Sequence, residues 1–425
     1  MKLRSRLGKN ILWLIGSRFG SQGMMVLFTI LLARRLGSAG FGEYAFISAA
    51  VFLGNTLTTF GTDMLLIREI ASRDDQSTLP VALLIQLVLS LLFILATFIA
   101  APLLPNQSPA AVLGLKIYSL ALLPLAFFTV FTTALRGKQR MDAYMALNLS
   151  VASLQVIVVW LFIAAGIDIV RVAVLLLIIQ FVAAFLAGII CTTHIPGFWR
   201  TWRFSAQSVP AVMRASAPIA LLALVGMLYQ KLPVYMLSTL AGAAVTGWFS
   251  AGLRTVEASK TIHLAVFTAL YPAMAEASFA RDDAEELLPW SGSFGLSWKL
   301  LLAGAGAAAL VLTLFADPIT RLLYGAEFAE SVLALKILAW TLIPFTVNNF
   351  LSLANLAVRR ERIVIRVQLV GLLIMFGLDA WWVPQWGLTG ACLASLLAES
   401  AQAAAYIYPR KYLPRTVIKL FGAAG

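Results

Sequence analysis

The chain has 425 residues, of which 61% are hydrophobic and 12% charged, and its formal net charge is +13. Soluble proteins carry about 25% charged residues, so a water-soluble fold is excluded, and with it a nucleic-acid reading of the basic balance. The chain belongs in a lipid bilayer, and its function is to be sought in polar residues placed where lipid disfavours them.

A membrane-crossing helix needs about 20 apolar residues. Such stretches fall near residues 10–33, 42–63, 81–102, 113–135, 143–165, 170–191, 215–239, 246–270, 294–315, 331–356, 365–383 and 387–408. The joins leave no room for a soluble domain. The first stretch is too long for a secretory signal and lacks an A-x-A-like cleavage site, so it is read as a mature span. With the N-terminus in the cytoplasm, 21 of the 32 Lys and Arg residues fall on the cytoplasmic side and five outside (Arg34, Arg35, Lys116, Arg171, Arg321). The positive-inside rule then places both termini in the cytoplasm, which requires an even number of spans.

Two internal echoes divide the chain. LGSAGFGEYAF (36–46), between spans one and two, matches AGAAVTGWFSA (241–251), between spans seven and eight, at an offset of 205: Gly37 meets Gly242 and Gly42 meets Gly247. LPLAFFTVFTTALRGKQR (123–140) resembles IPFTVNNFLSLANLAVRRER (343–362), each with a mid-span proline, Pro124 and Pro344, ahead of a basic loop. The expected fold is all-α and integral to the membrane. It has about twelve transmembrane helices in two six-helix lobes related by a parallel pseudo-two-fold repeat. The lobes are 1–192 and 215–425, joined by a cytoplasmic connector at 193–214. Trp199, Trp202 and Phe204 beside Arg200 and Arg203 suit a segment in the headgroup layer; an ordinary solvated loop is the equal alternative.

Several spans carry groups that lipid penalises. Arg18 lies about nine residues into span one, with Ser21, Gln22 and Met25 on the same helical face. Span two carries Ser48, Asn55, Thr58, Thr59 and Thr62, with Asp63 at its inner end. Span seven holds Lys231. Span eight holds Arg254, Glu257 and Lys260 within one arc. Asn348, Asn349, Ser352 and Asn355 mark span ten, and Glu399 and Gln402 mark span twelve. The deep bases outnumber the clearest deep acids, so the expected cavity is cationic and suits an anion, arginine being a phosphate-binding fork. The alternative for Arg254, Glu257 and Lys260 is a salt-bridge cluster between helices. Gln22, Asn55, Thr59, Lys231, Asn349 and Arg18 complete the expected substrate-binding set. Asp63, Glu257 and Glu399 are the acids available for ion coupling.

Cys191 and Cys392 sit far apart in apolar sequence and read as core residues rather than a disulfide. His194 and His263 lack metal-ligand spacing, and His263 reads first as a core residue and second as a proton carrier. There is no GxxxxGK[ST], HExxH, GxSxG or CxxC pattern. Neither an enzyme nor any cofactor or metal is expected.

The segments LLARRLGSAGFGEYAF, LTTFGTDMLLIREIA (57–71), LYGAEFAES (323–331) and WGLTGACLASLLAE (386–399) occur in order over nearly the whole chain. They resemble the polysaccharide transporters of the multidrug/oligosaccharidyl-lipid/polysaccharide exporter superfamily. The resemblance implies a bacterial inner-membrane flippase that moves undecaprenyl-pyrophosphate-linked oligosaccharide by alternating access. A polysaccharide polymerase and a chain-length regulator are its implied partners. The rival within the superfamily is an ion-coupled multidrug or cation exporter. One departure stands out: the family often places an aspartate two residues after the span-seven base, and here Pro233 follows Lys231.

Overall fold

The computed structural model describes residues 2–73, 76–162, 166, 168–202, 204–279, 292–357 and 360–407. Among them there are helices and no strands, because in lipid each backbone N–H must find its carbonyl within its own segment. Fourteen α-helices follow in order: α1 Lys2–Thr59, α2 Thr62–Arg73, α3 Leu79–Ala100, α4 Pro109–Ser119, α5 Leu122–Gly137, α6 Met141–Phe162, α7 Ile169–His194, α8 Val209–Leu240, α9 Ala243–Phe279, α10 Gly292–Leu314, α11 Ala316–Tyr324, α12 Ser331–Ala339, α13 Leu342–Ala357 and α14 Glu361–Ile407.

Helix count and span count differ for local reasons. Gly37 (φ 67°, ψ −176°) breaks α1 into two legs, and Gly387 (φ 50°) does the same to α14. Left-handed backbone of this kind suits glycine, which has no Cβ to clash. Conversely, α4 with α5, and α12 with α13, are single spans broken near their middles; the second pair bends by 43°. With α9 added, the twelve spans and two lobes of the expected fold are present.

By contact the chain divides into two units, Met1–Gly247 and Trp248–Gly425. In the first unit the packing is inverted relative to a soluble protein. On α7, Ala173, Ala183, Ala184 and Ala187 are buried while Ile178, Phe181, Phe185 and Ile189 face outward. Lipid offers large side chains an apolar surround, so helix contacts go to small residues that let backbones approach. Its core joins Leu66, Ile70, Val130, Leu135, Leu147 and Cys191. Two caps fix helix starts: Ser108 Oγ accepts from the Ala111 N–H at 3.0 Å, and Asp168 Oδ1 from the Arg171 N–H at 2.7 Å.

The region after span two departs from expectation. Residues 64–80 read as a loop, whereas Phe60 (φ 51°) and Gly61 (φ 67°) turn the chain into the helix α2. Leu65, Leu66 and Ile70 bury one face of it, so a short apolar stripe organised a segment whose charges suggested solvent. Helix α11 was likewise unforeseen.

The second leg of α1 packs along α8. Tyr235 Oη donates to the Ala49 carbonyl at 2.7 Å, and Phe46 meets Tyr235 edge-on at 6.2 Å. At one end of this seam Gly42 lies against Ala243 and Gly247, and Gly247 lies against Ser38 and Gly42. Each contact is the other shifted by 205 residues, so the sequence echo is a physical crossing of equivalent turns. Gly242 (φ 87°) is the matching counterpart of Gly37. Nearby, Asn106 Nδ2 donates to the Thr239 carbonyl at 2.7 Å and Gln107 Nε2 to the Ser238 carbonyl at 3.1 Å.

The second echo is reproduced bond for bond at an offset of 220. In the first unit the Leu120, Ala121 and Leu123 N–H groups reach back three residues to Ile117, Tyr118 and Leu120. In the second unit Trp340, Thr341 and Ile343 do the same to Ile337, Leu338 and Trp340. Pro124 and Pro344 follow these tightened turns, as expected where proline removes a donor. The Arg140 N–H bonds the Leu135 carbonyl at 2.8 Å, and the Arg360 N–H bonds that of Asn355 at 2.8 Å.

The connector is partly core. Phe198 is buried and stacks among Phe131, Trp199 and Trp202 with ring centroids 5.1–5.8 Å away, while Trp199 and Phe204 are exposed. Arg203, Arg281, Arg359 and the tail from residue 408 lie outside the described residues.

Candidate functional site

The first unit gathers polar groups on α1 and α8. Gln22 sits half-buried on the first leg of α1, Asn55 and Thr59 half-buried on the second, and Lys231 half-buried on α8. Asp63 opens α2, beside Thr62, whose hydroxyl donates to the Thr59 carbonyl at 2.7 Å and accepts from Gln86 at 2.9 Å. Arg18 lies on α1, with its side chain outside those the structure describes.

The second unit contains a denser constellation built from three spans. On α9, Arg254 donates to Glu257 Oε2 at 3.1 Å, both side chains about a quarter exposed (28% and 26%). This pair lies within α9, so it is not the three-residue cluster between helices, and Lys260 points elsewhere. Its ammonium stands 4.4 Å from the centroid of the Phe345 ring on α13, a cation–π contact. One turn on, Asn348 Nδ2 donates to Glu399 Oε2 at 2.7 Å and to the Glu399 carbonyl at 3.0 Å. Asn349 instead bonds back to the Phe345 carbonyl at 2.9 Å. The structure therefore brings Lys260, Phe345, Asn348 and Glu399 together and leaves Asn349 outside that group. Replacing Arg254 and Glu257 by Ala singly and together is expected to give a coupling energy of about 1 kcal/mol in a double-mutant cycle of thermal stability. A coupling near zero would show that the pair is not formed in the membrane.

His263 and both cysteines lie in the interior. His263 is 6% exposed with Nε2 3.3 Å from the Leu301 carbonyl. Cys191 Sγ donates to the Phe131 carbonyl at 3.3 Å, and Cys191 and Cys392 are both buried and unbridged. Among the described residues no group of His, Cys, Asp and Glu could hold a metal ion.

One group escaped the sequence reading. Asp379, on the first leg of α14, is 0% exposed, and neither carboxylate oxygen has a hydrogen-bond partner. Its signal was weak because Trp381, Trp382, Pro384 and Trp386 follow within a few residues and read as the interfacial end of span eleven. A buried carboxyl without partners costs stability. Asp379→Asn is accordingly expected to keep the fold and raise stability by about 1–2 kcal/mol in a thermal melt. A clear loss would show that the carboxyl binds a partner in the membrane.

Residues 7–278 match the family model described as "Polysaccharide biosynthesis protein". The chain belongs to that family. No curated protein matches it in sequence. Among solved structures, it is similar to a lipid II flippase MurJ in an inward closed conformation, at 14% identity and TM-score 0.74, covering 97% of this chain and 92% of that one. An inward-facing MATE multidrug resistance transporter of the MOP superfamily aligns at 16% identity and TM-score 0.72 over 95% and 96%. A MOP superfamily transporter from Pyrococcus furiosus, described as having a binding pocket of reverse polarity, aligns at 15% identity and TM-score 0.68 over 95% of each chain. These neighbours share the fold, and the polysaccharide biosynthesis family member is a multi-pass membrane protein of that architecture.

Proposed function

We propose that this family member flips undecaprenyl-pyrophosphate-linked oligosaccharide repeat units from the inner to the outer leaflet of the bacterial cytoplasmic membrane. The product would feed surface polysaccharide assembly, as O-antigen, capsule or exopolysaccharide, alongside a polymerase and a chain-length regulator. The observation that carries the reading is family membership combined with bases at mid-span positions on helices of both units: Arg18, Lys231, Arg254 and Lys260. A pyrophosphate is the part of such a lipid that cannot cross hydrocarbon unaided, and cations in a low-dielectric site attract it most strongly. The amides and hydroxyls of Gln22, Asn55, Thr59 and Asn349 suit sugar hydroxyls, and the prenyl tail stays in lipid.

In this reading the lobes 1–192 and 215–425, joined by the connector 193–214, work by alternating access, with both termini cytoplasmic. Asp63, Glu257 and Glu399 are joined by Asp379 as carboxyls that could bind a coupling ion. The second reading, an ion-coupled multidrug or cation exporter, draws on those acids and on the MATE-like fold. The bases Arg18, Lys231, Arg254 and Lys260 favour the first reading.

The test is a deletion strain. Membrane lipids are extracted and assayed for undecaprenyl-linked oligosaccharide beside surface polymer. Accumulated lipid-linked repeat units with lost polymer are expected. Unchanged lipid and polymer, with loss of cationic-dye efflux instead, would give the exporter reading.

A further inference from the structure

One span crosses the division that the sequence draws. The internal echo makes α8 the first span of the second half, yet by contact it lies in the unit Met1–Gly247, along the second leg of α1. Small residues seat both ends of this seam. At the connector end a Cβ on Gly61 would fall on the Ala220 nitrogen and Ile219, and at the other end Gly42 meets Ala243 and Gly247. Between those seats α8 is held by three side-chain donors, each on a backbone carbonyl. Tyr235 Oη donates to Ala49 at 2.7 Å, Asn106 Nδ2 to Thr239 at 2.7 Å, and Gln107 Nε2 to Ser238 at 3.1 Å, with the Ser238 hydroxyl 3.0 Å away.

These contacts suit a joint that opens. Ser238 and Thr239 lie in the last turn of α8, where carbonyls lack an intrahelical donor. Asn106 is exposed, so water can replace the amides and nothing is stranded when they leave. The loop that carries the amides is itself fixed. Ser108 Oγ donates to Glu43 Oε1 and caps α4, and Gln107 Nε2 also bonds the Pro105 carbonyl at 3.2 Å. Pro233, inside α8, removes one rung of the helix ladder just ahead of the held turns. Lys231, Tyr235 and Ser238 follow at i, i+4 and i+7 on one face, so Lys231 lies on the face that Tyr235 holds against α1. Phe52 and Leu57 of α1 and Leu221 and Leu240 of α8 are exposed, so both helices border lipid.

We infer that Tyr235, Asn106 and Gln107 form a latch that closes the α1–α8 seam over Lys231, and that a lipid pyrophosphate releases it. This inference deepens the flippase reading and rests on it. The prenyl tail stays in lipid while the pyrophosphate must reach a base inside, so entry is sideways between helices. A pyrophosphate oxygen drawn to Lys231 arrives one turn from Tyr235 and replaces the Ala49 carbonyl as acceptor of its hydroxyl. Ligand and latch compete for one donor, which supplies the differential affinity that a ligand needs to shift a conformational equilibrium. The small-residue seats stay closed and confine the movement to the middle of α8.

The experiment uses the full chain in lipid nanodiscs carrying Ala49→Cys, a position 3% exposed behind the latch. The rate of N-ethylmaleimide modification there is the readout, with the buried Cys191 and Cys392 as internal references. Modification is expected to be slow at rest and about tenfold faster with Asn106→Asp and Gln107→Glu, which keep the shape but turn oxygens toward the carbonyls. Farnesyl pyrophosphate should give a similar acceleration and farnesol none, and Lys231→Met should abolish the response. A rate that the latch substitutions leave unchanged overturns the inference, as does an acceleration by farnesyl pyrophosphate that persists in Lys231→Met. A second variant does not depend on weakening the fold. A short bis-thiosulfonate joining Asn106→Cys to Thr239→Cys is expected to stop export until the bridge is reduced, and export indifferent to the bridge overturns the latch. Acceleration by the latch substitutions in a protein that ignores farnesyl pyrophosphate upholds the latch but removes the pyrophosphate ligand, and the flippase reading with it.

Discussion

Gly42→Val and Gly247→Val are each expected to cost about 3 kcal/mol and to deplete folded protein from the membrane. A Cβ built on Gly42 falls on the Ala243 carbonyl, and one built on Gly247 falls on the Ser38 carbonyl. The obstacle in both cases is backbone, which cannot rotate aside as a flexible side chain can. Ser38 with Gly42, and Ala243 with Gly247, are small residues four apart, the spacing that lets membrane helices cross in contact. No hydrophobic gain offsets the added methyl groups, since lipid would have solvated them equally well. Gly226→Ala on α8 is the control. Its added Cβ meets nothing within 4 Å, so it should be neutral or stabilise by up to about 1 kcal/mol through helix propensity. Thermal melts followed by size-exclusion chromatography in detergent check both. A normal melting curve for Gly42→Val would mean that the two turns separate readily.

The second large effect concerns transport. Arg18→Ala and Lys231→Met are each expected to lower export of lipid-linked oligosaccharide by about 10- to 100-fold, the loss of one charge-assisted contact of about 1.5–3 kcal/mol. Protein level should hold or rise, because a mid-span base opposes insertion by about 2.5–3.5 kcal/mol. Surface polymer and membrane-bound protein are measured in the same cells. Normal export from either variant would remove that residue from the substrate path. Reduced export with equally reduced protein would assign it to folding. Lys231 is the sharper case, since its half-buried side chain on α8 lies among those the structure describes.

The repeats show how far periodicity reaches. The offset of 205 was visible in small-residue matches such as Gly37 with Gly242 and Gly42 with Gly247, each common enough to arise by chance. Its meaning appears only in the reciprocal contact of Gly42 with Gly247 and in the paired left-handed glycines Gly37 and Gly242. The breaks at 120–121 and 340–341 were hidden, because the proline beside each break predicts a kink without saying where the hydrogen bonds shorten. Helix α2 was hidden for the opposite reason: its charges outweighed a stripe of three apolar residues.

The candidate site divides along the same line. Composition and the spacing of Arg254, Glu257 and Lys260 along one helix were legible, since contacts three or four residues apart are fixed by helix geometry. Sequence could not distribute those charges among partners. Arg254 pairs within α9, whereas Lys260 turns to Phe345, which lies 85 residues further along the chain. Asp379 passed unnoticed beside its tryptophans, and only burial revealed a carboxyl with no partner. Sequence by itself determined that this chain is a twelve-span membrane protein with bases in its spans, because hydrophobic length and charge exclusion act residue by residue. The tertiary structure alone decided which charges are tied, which glycines touch and which carboxyl is stranded, because those depend on the approach of helices distant in the chain.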